Sequence, residues 1–203
     1  MVCTVVPALA LIAAMSLLTD VNLGLRYILP ALPLLFVAAG AWVKGAAFRR
    51  RGVRWLTAGL IGAALLSTGA QFPHYIGAFN VLAGGPQNGH QWLAHSNLDW
   101  GQDLPLLQEY MENEQIEEVD LAYYGRVPPE AYGIQFRPAP LSPEPGRVTA
   151  ISANYALGLP YLLYVPGEEG LVWMPPHAFS SYAEHTPTRV LGRSLYLYDW
   201  RER

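Results

Sequence analysis

The strongest constraint on this chain is where its apolar residues fall. Three long apolar runs occupy the first 72 of 203 residues, and nothing comparable follows. They are Val2 to Leu18, Tyr27 to Val43 (YILPALPLLFVAAGAWV) and Trp55 to Phe72 (WLTAGLIGAALLSTGAQF). A helix needs about 17–25 mostly apolar residues to cross a bilayer. The runs therefore predict three transmembrane helices, at about 1–19, 27–43 and 55–72, followed by a small α/β domain over 73–203. A secretory signal fits the first run poorly, because no basic residue precedes it and no small-residue cleavage site leads into a polar chain. The rival reading, three buried helices of a water-soluble core, asks for more polar interruptions than the runs contain. The abrupt start of the first run suggests a piece of something longer.

Charge then sets an expected orientation. Lys44 to Arg54 carries five bases and no acid, and short loops rich in Lys and Arg stay on the cytoplasmic side. The short connection from Asp20 to Arg26 and everything after Phe72 are then outside. The expectation is a multi-pass inner (cytoplasmic) membrane protein with residues 73–203 extracytoplasmic, and with Pro73 to Phe79 (PHYIGAF) at the interface. Residues 1–72 hold one acid (Asp20) against six bases, and the remainder fifteen acids against seven bases. That acidic balance excludes a nucleic-acid partner, since no basic surface accompanies the aromatics. The lone cysteine, Cys3, rules out a disulfide framework and reads as a small buried apolar residue.

Beyond Phe72 the pattern changes. Leu104 to Glu114 places Leu106, Leu107, Tyr110 and Met111 on one helical side. Val119, Leu121 and Tyr123 alternate within Ile116 to Tyr124, a strand pattern. Pro128 to Tyr132 reads as one helical turn, Arg137 to Gly146 as a proline-rich loop, and Arg147 to Ala153 as a second strand. Asn154 to Tyr164 reads as a helix or irregular turn, and Phe179 to Ala183 as a weak helix. Ser194 to Trp200 is the last strand, with Leu195 and Leu197 opposite Tyr196, Tyr198 and Trp200.

The stretch Ser96-Asn97-Leu98-Asp99-Trp100-Gly101-Gln102-Asp103-Leu104 concentrates polar and aromatic groups just ahead of the first amphipathic helix. Asp103 stands where an N-cap belongs, and Asp99 would lie near the same positive helix end. Two readings stay open. One is a capped helix with Trp100 as its apolar lid. The other is a polar, aromatic-backed surface facing a sugar or a membrane active site.

The remaining candidates are weaker. Arg26 suits a phosphate, because guanidinium matches its oxygens bidentately, but it also suits a snorkelling arginine. His90 and His95 are five apart, and none of the five histidines has metal-site spacing, so no metal or cofactor is expected. Gly84 to Gly89 lacks the lysine of a phosphate loop and reads as a turn. Ser96 has no nucleophile-elbow context, and Asp99 with Asp103 lacks a third metal ligand.

Several of these segments resemble one family. Asn22-Leu-Gly-Leu-Arg26-Tyr27-Ile-Leu-Pro30-Ala-Leu-Pro33 is similar to the R-Y-x-L-P-x-x-P stretch near the end of the membrane portion of family-39, protein-mannosyltransferase-like glycosyltransferases of the GT-C class. Phe79-Asn80 with Ala83-Gly84-Gly85-Pro86, the Ser96–Leu104 nonapeptide, and Tyr123-Tyr124-Gly125 with Tyr132-Gly133-Ile134 resemble the outer tail of bacterial members. The resemblance implies transfer of a sugar from a polyprenyl-phosphate donor to an extracytoplasmic acceptor (a glycan, lipid or protein), among membrane lipids. It implies Arg26 at the lipid phosphate and Asn97, Asp99, Trp100, Gln102 and Asp103 on the acceptor side. Asp99-Trp100-Gly101 also resembles the acceptor-reading W-W-D-Y-G motif of the oligosaccharyltransferase catalytic subunit. The family's catalytic base lies on an early outer loop with no counterpart here, and Asp20 does not match it. The chain is therefore expected to hold no catalytic residue, and to be a C-terminal portion not active alone. The alternative is a non-enzymatic, membrane-anchored domain that binds a glycan or a protein.

Overall fold

The computed structural model describes residues 2–18, 24–43, 45–80, 84–165 and 170–201, in two compact units, 1–72 and 73–203. Asp20, Asn22, Lys44 and Ala83, which figure in the expectations above, lie outside the described residues.

The first unit holds helices α1 (Val2–Leu18), α2 (Ala31–Val43) and α3 (Arg51–Gly69). The apolar runs do become helices, but α1 and α2 are shorter than expected and α3 is displaced toward the basic loop. Among the described residues no helix is long and apolar enough to cross a membrane. That overturns the three expected transmembrane helices, and with them the multi-pass inner-membrane placement and the extracytoplasmic position of residues 73–203. The reasons lie at the helix ends. α1 has 17 residues, or about 26 Å at 1.5 Å per residue, against a hydrocarbon core of about 30 Å. Pro30 stands just before α2 and Pro33 in its first turn, where the N–H that proline lacks has no intrahelical partner to lose. α2 keeps 13 residues, about 20 Å. α3 opens on Arg51 and Arg54, so its apolar portion runs only from Trp55 to Gly69. Cys3 is exposed on α1, not buried. Ala8 and Ala31 are the buried hydrophobic residues among those described in this unit.

The second unit is built on a five-stranded mixed sheet in the order β2-β1-β3-β7-β6. The strands are β1 (Val119–Ala122), β2 (Phe136–Pro138), β3 (Val148–Ser152), β6 (Arg189–Leu191) and β7 (Leu195–Asp199). β1 runs parallel to β2 and β3, while β7 is antiparallel to both β3 and β6. A separate antiparallel hairpin joins β4 (Tyr161–Val165) and β5 (Gly170–Met174). Its first strand replaces the helix or irregular turn expected over Asn154 to Tyr164, of which only α5 (Ala153–Ala156) is helical.

Period-two alternation gives the sheet two buried faces. Val119, Leu121, Leu195 and Leu197 face one core, which is closed by α4 (Leu104–Asn113) through Leu104, Leu107, Tyr110 and Met111. Ala122, Tyr124, Ile151, Tyr198 and Trp200 face the other, with Tyr155 of α5, Phe179, and Tyr182 of α6 (Ser180–Ala183). α4 ends at Asn113; just beyond it Gln115 takes φ +52 and the Ile116 amide closes back on the Met111 carbonyl at 2.8 Å.

Candidate functional site

β1 and β3 are parallel, so their carboxyl ends open on the same edge of the sheet, the edge at which ligands collect in parallel α/β sheets. Residues 95–103 cover that edge. Asn154, just past β3, clamps His95 from both sides. Its Oδ1 accepts from the His95 amide at 2.7 Å, and its Nδ2 donates to the His95 carbonyl at 3.2 Å. The clamp holds exposed His95 at φ +63, a conformation His tolerates better than most residues. The hydroxyl of Tyr124, just past β1, lies 3.1 Å from His95 Nε2.

Asp99 is 2% exposed. It accepts from the Gly101 amide at 2.7 Å and from the Ser152 hydroxyl in a short bond. Gly101 is required here, since it takes φ +79 and a Cβ would meet the Tyr123 ring at 2.2 Å. Burial pushes the Asp99 pKa up from 3.8 to about 6, against the pull of its bonds from Ser152 and Gly101.

That shift carries a pH signature. The folded chain binds the Asp99 proton more tightly than the unfolded chain does. The stabilisation is complete below pH 3.8 and is lost as pH rises through about 6. About two units corresponds to about 3 kcal/mol. Urea melts of Asp99→Asn between pH 4.5 and 7.5 should show a flatter profile than the parent, with the variant gaining on it as pH rises. Parallel profiles would mean that Asp99 ionises freely in the fold.

Asp103 occupies the N-cap position of α4, but its side chain makes no capping bond. It turns instead to the β6–β7 hairpin, accepting from the amides of Arg193 (3.0 Å) and Ser194 (3.1 Å) and from the Ser194 hydroxyl (2.8 Å). Gln102 donates to the Leu98 carbonyl and to Ser194 Oγ, and accepts from the Trp100 amide at 2.8 Å. Asn97 donates to the Ala94 carbonyl at 3.3 Å. Trp100 is 53% exposed, with its Nε1 fixed on the Ser96 carbonyl at 2.8 Å.

Of the five acceptor-side candidates, then, Asp99 and Asp103 are buried on internal donors, Asn97 and Gln102 are half-buried in the loop, and Trp100 turns outward. Arg26 belongs to the first unit, exposed on a 3-10 turn, Gly24–Tyr27. Sequence reasoning missed the roles of Tyr124, Ser152 and Asn154, and gave His95 no role beyond that of a loop residue without metal-site spacing. Among the described residues no cluster of His, Cys, Asp or Glu is placed to hold a metal ion. No family model, curated protein or solved structure matches the chain.

Proposed function

We propose that residues 73–203 form a non-catalytic acceptor-binding unit for sugar transfer from a polyprenyl-phosphate donor, with Trp100 as the surface on which the acceptor's ring lies. The reaction class comes from the resemblance of the Arg26–Pro33 and Ser96–Leu104 stretches. The observation that carries the reading is the geometry of Trp100. Its indole is pinned by Nε1 yet half exposed, which offers a large rigid apolar face at little entropic cost. Asp99 holds the turn at Gly101 next to Trp100, and Asp103 ties the end of the loop to the β6–β7 hairpin. Both are consumed by internal donors, so neither is free to act as a base. Arg26 is the residue assigned to the departing phosphate.

Saturation-transfer NMR of the 203-residue chain with neutral disaccharides (maltose, cellobiose, lactose) tests the binding half. At least one should bind, and Trp100→Ala should weaken it about tenfold while leaving stability within about 0.5 kcal/mol of the parent. Equal saturation transfer in parent and variant removes Trp100 from acceptor recognition. Binding that depends on Trp100, with transfer in the complete enzyme indifferent to Arg26→Ala, points to the second reading, a glycan-binding domain with no part in transfer.

A further inference from the structure

A cleft of about 780 Å³ opens in the second unit beside the β6–β7 hairpin, lined by Gly84, His90, Leu98, Val190, Arg193 and Tyr196 among others. Its size falls in the range of about 300–1,000 Å³ common to small-molecule sites. Arg193 is fixed in place, because its Nη1 donates to the carbonyls of His74 (2.9 Å) and Gly77 (3.1 Å). Those bonds leave the edge formed by Nε and Nη2 without an acceptor among the described residues, and that edge matches two oxygens of one anion. Burial lowers the pKa of Arg193, opposed by the nearby Asp103 charge, so a bound anion would relieve a desolvated cation.

Two more polar groups line the same space. The half-buried Tyr196 hydroxyl and the half-buried His90 ring have no hydrogen-bond partner among the described residues. Among the described residues no acidic side chain belongs to the lining. Asp103 is directed into the hairpin backbone by its bonds to Arg193 N and Ser194 N. Leu98, Pro187 and Val190 supply apolar wall. Donors over an apolar wall, with no competing carboxylate among the described lining residues, select for a ligand that is negative at one end and greasy or ring-like at the other.

We propose that this cleft binds a small organic oxyanion, a phosphate or carboxylate carried on a ring. Arg193 Nε and Nη2 hold its oxygens, Tyr196 and His90 donate to the remainder, and Leu98 and Val190 pack against the ring. The site is separate from the reading of Trp100 and does not depend on it.

Ligand-observed NMR on the full chain tests this with phenyl phosphate, benzoate, inorganic phosphate and benzyl alcohol. Phenyl phosphate or benzoate should bind with a Kd of about 1 mM or below, and inorganic phosphate and benzyl alcohol about tenfold more weakly. Whichever aromatic anion binds tighter identifies the headgroup. Val190→Trp, which fills the cleft, should abolish binding. Arg193→Lys keeps the charge but loses the paired edge, and should cost about tenfold. Tyr196→Phe should cost about threefold. Val190 and Tyr196 hold none of the bonds that anchor the 74–77 segment, so their variants separate ligand loss from misfolding. The proposal is overturned if neither aromatic anion binds below about 10 mM, or if Val190→Trp and Arg193→Lys bind as the parent does.

Discussion

Replacing Arg137 and Arg147 together with methionine should cost about 3–5 kcal/mol, more than removing the carboxylate they share. Asp120 lies on β1 with no exposed surface. It receives Arg137 through Nε, in a short bond, and through Nη2 at 3.2 Å, and Arg147 through Nε at 2.9 Å. Arg137 comes from β2, and Arg147 immediately precedes β3, so one buried carboxylate joins the two strands that flank β1. The two sides of this ion group are not equivalent. Arg137 is 39% exposed and also reaches Glu144 at 2.8 Å, while Arg147 reaches Glu118 at 2.7 Å. If Asp120 is removed, both guanidinium groups keep a partner and access to water. If both arginines are removed, Asp120 remains buried with no counter-charge, which is the costly direction. Asp120→Ala is therefore expected to cost about 2 kcal/mol. Urea unfolding of both variants checks the order. A double-arginine variant no less stable than Asp120→Ala would show that water reaches the carboxylate.

This ion group also marks the limit of what the chain reveals before folding. α4, β1, β3 and β7 are legible because each buries a periodic face. Leu107, Tyr110 and Met111 recur at helical spacing, and Leu195 with Leu197 alternates against Tyr196, Tyr198 and Trp200. β2 and β6 have three residues each, too few to show a period, and β2 ends on Pro138, which only an edge strand tolerates. β4 reads Tyr-Leu-Leu-Tyr-Val, apolar or aromatic at every position, so neither period stands out. The apolar runs of the first unit signal helix correctly, but run length does not reveal that α2 begins only after Pro30, or that α3 begins in the basic loop at Arg51 and ends at Gly69. At the site, the nonapeptide is visible as a concentration of polar groups, whereas its partners are not. Asp99 meets Ser152, His95 meets Asn154, and Asp103 meets Ser194, pairs that only the tertiary fold brings together. An aspartate one residue before a helix is read as its cap for good local reasons. Tertiary donors outcompete that role here, because two hairpin amides and a hydroxyl converge on a single carboxylate.

The strength of that convergence can be measured with a double-mutant cycle. Asp103→Ala should cost about 3–5 kcal/mol, since it leaves two buried amides and the Ser194 hydroxyl without their charged acceptor. Asp103 is 3% exposed, so water replaces those bonds poorly. Gly192, at the hairpin turn, takes φ +55, and a Cβ there would stand 2.1 Å from Asp103 Oδ1. Gly192→Ala therefore pays twice, about 1–2 kcal/mol for the left-handed backbone and a further amount for displacing the carboxylate. In Asp103→Ala/Gly192→Ala the displaced group is gone and only the backbone cost of the second substitution remains. The double variant should then be at least about 1 kcal/mol more stable than the sum of the single losses implies. The same cycle run with Gly101→Ala in place of Gly192→Ala should be closer to additive, because the Cβ at 101 meets Tyr123 and not Asp103. Additive losses for Asp103 and Gly192 would mean that the carboxylate does not occupy the hairpin turn, and that it remains available to cap α4 after all.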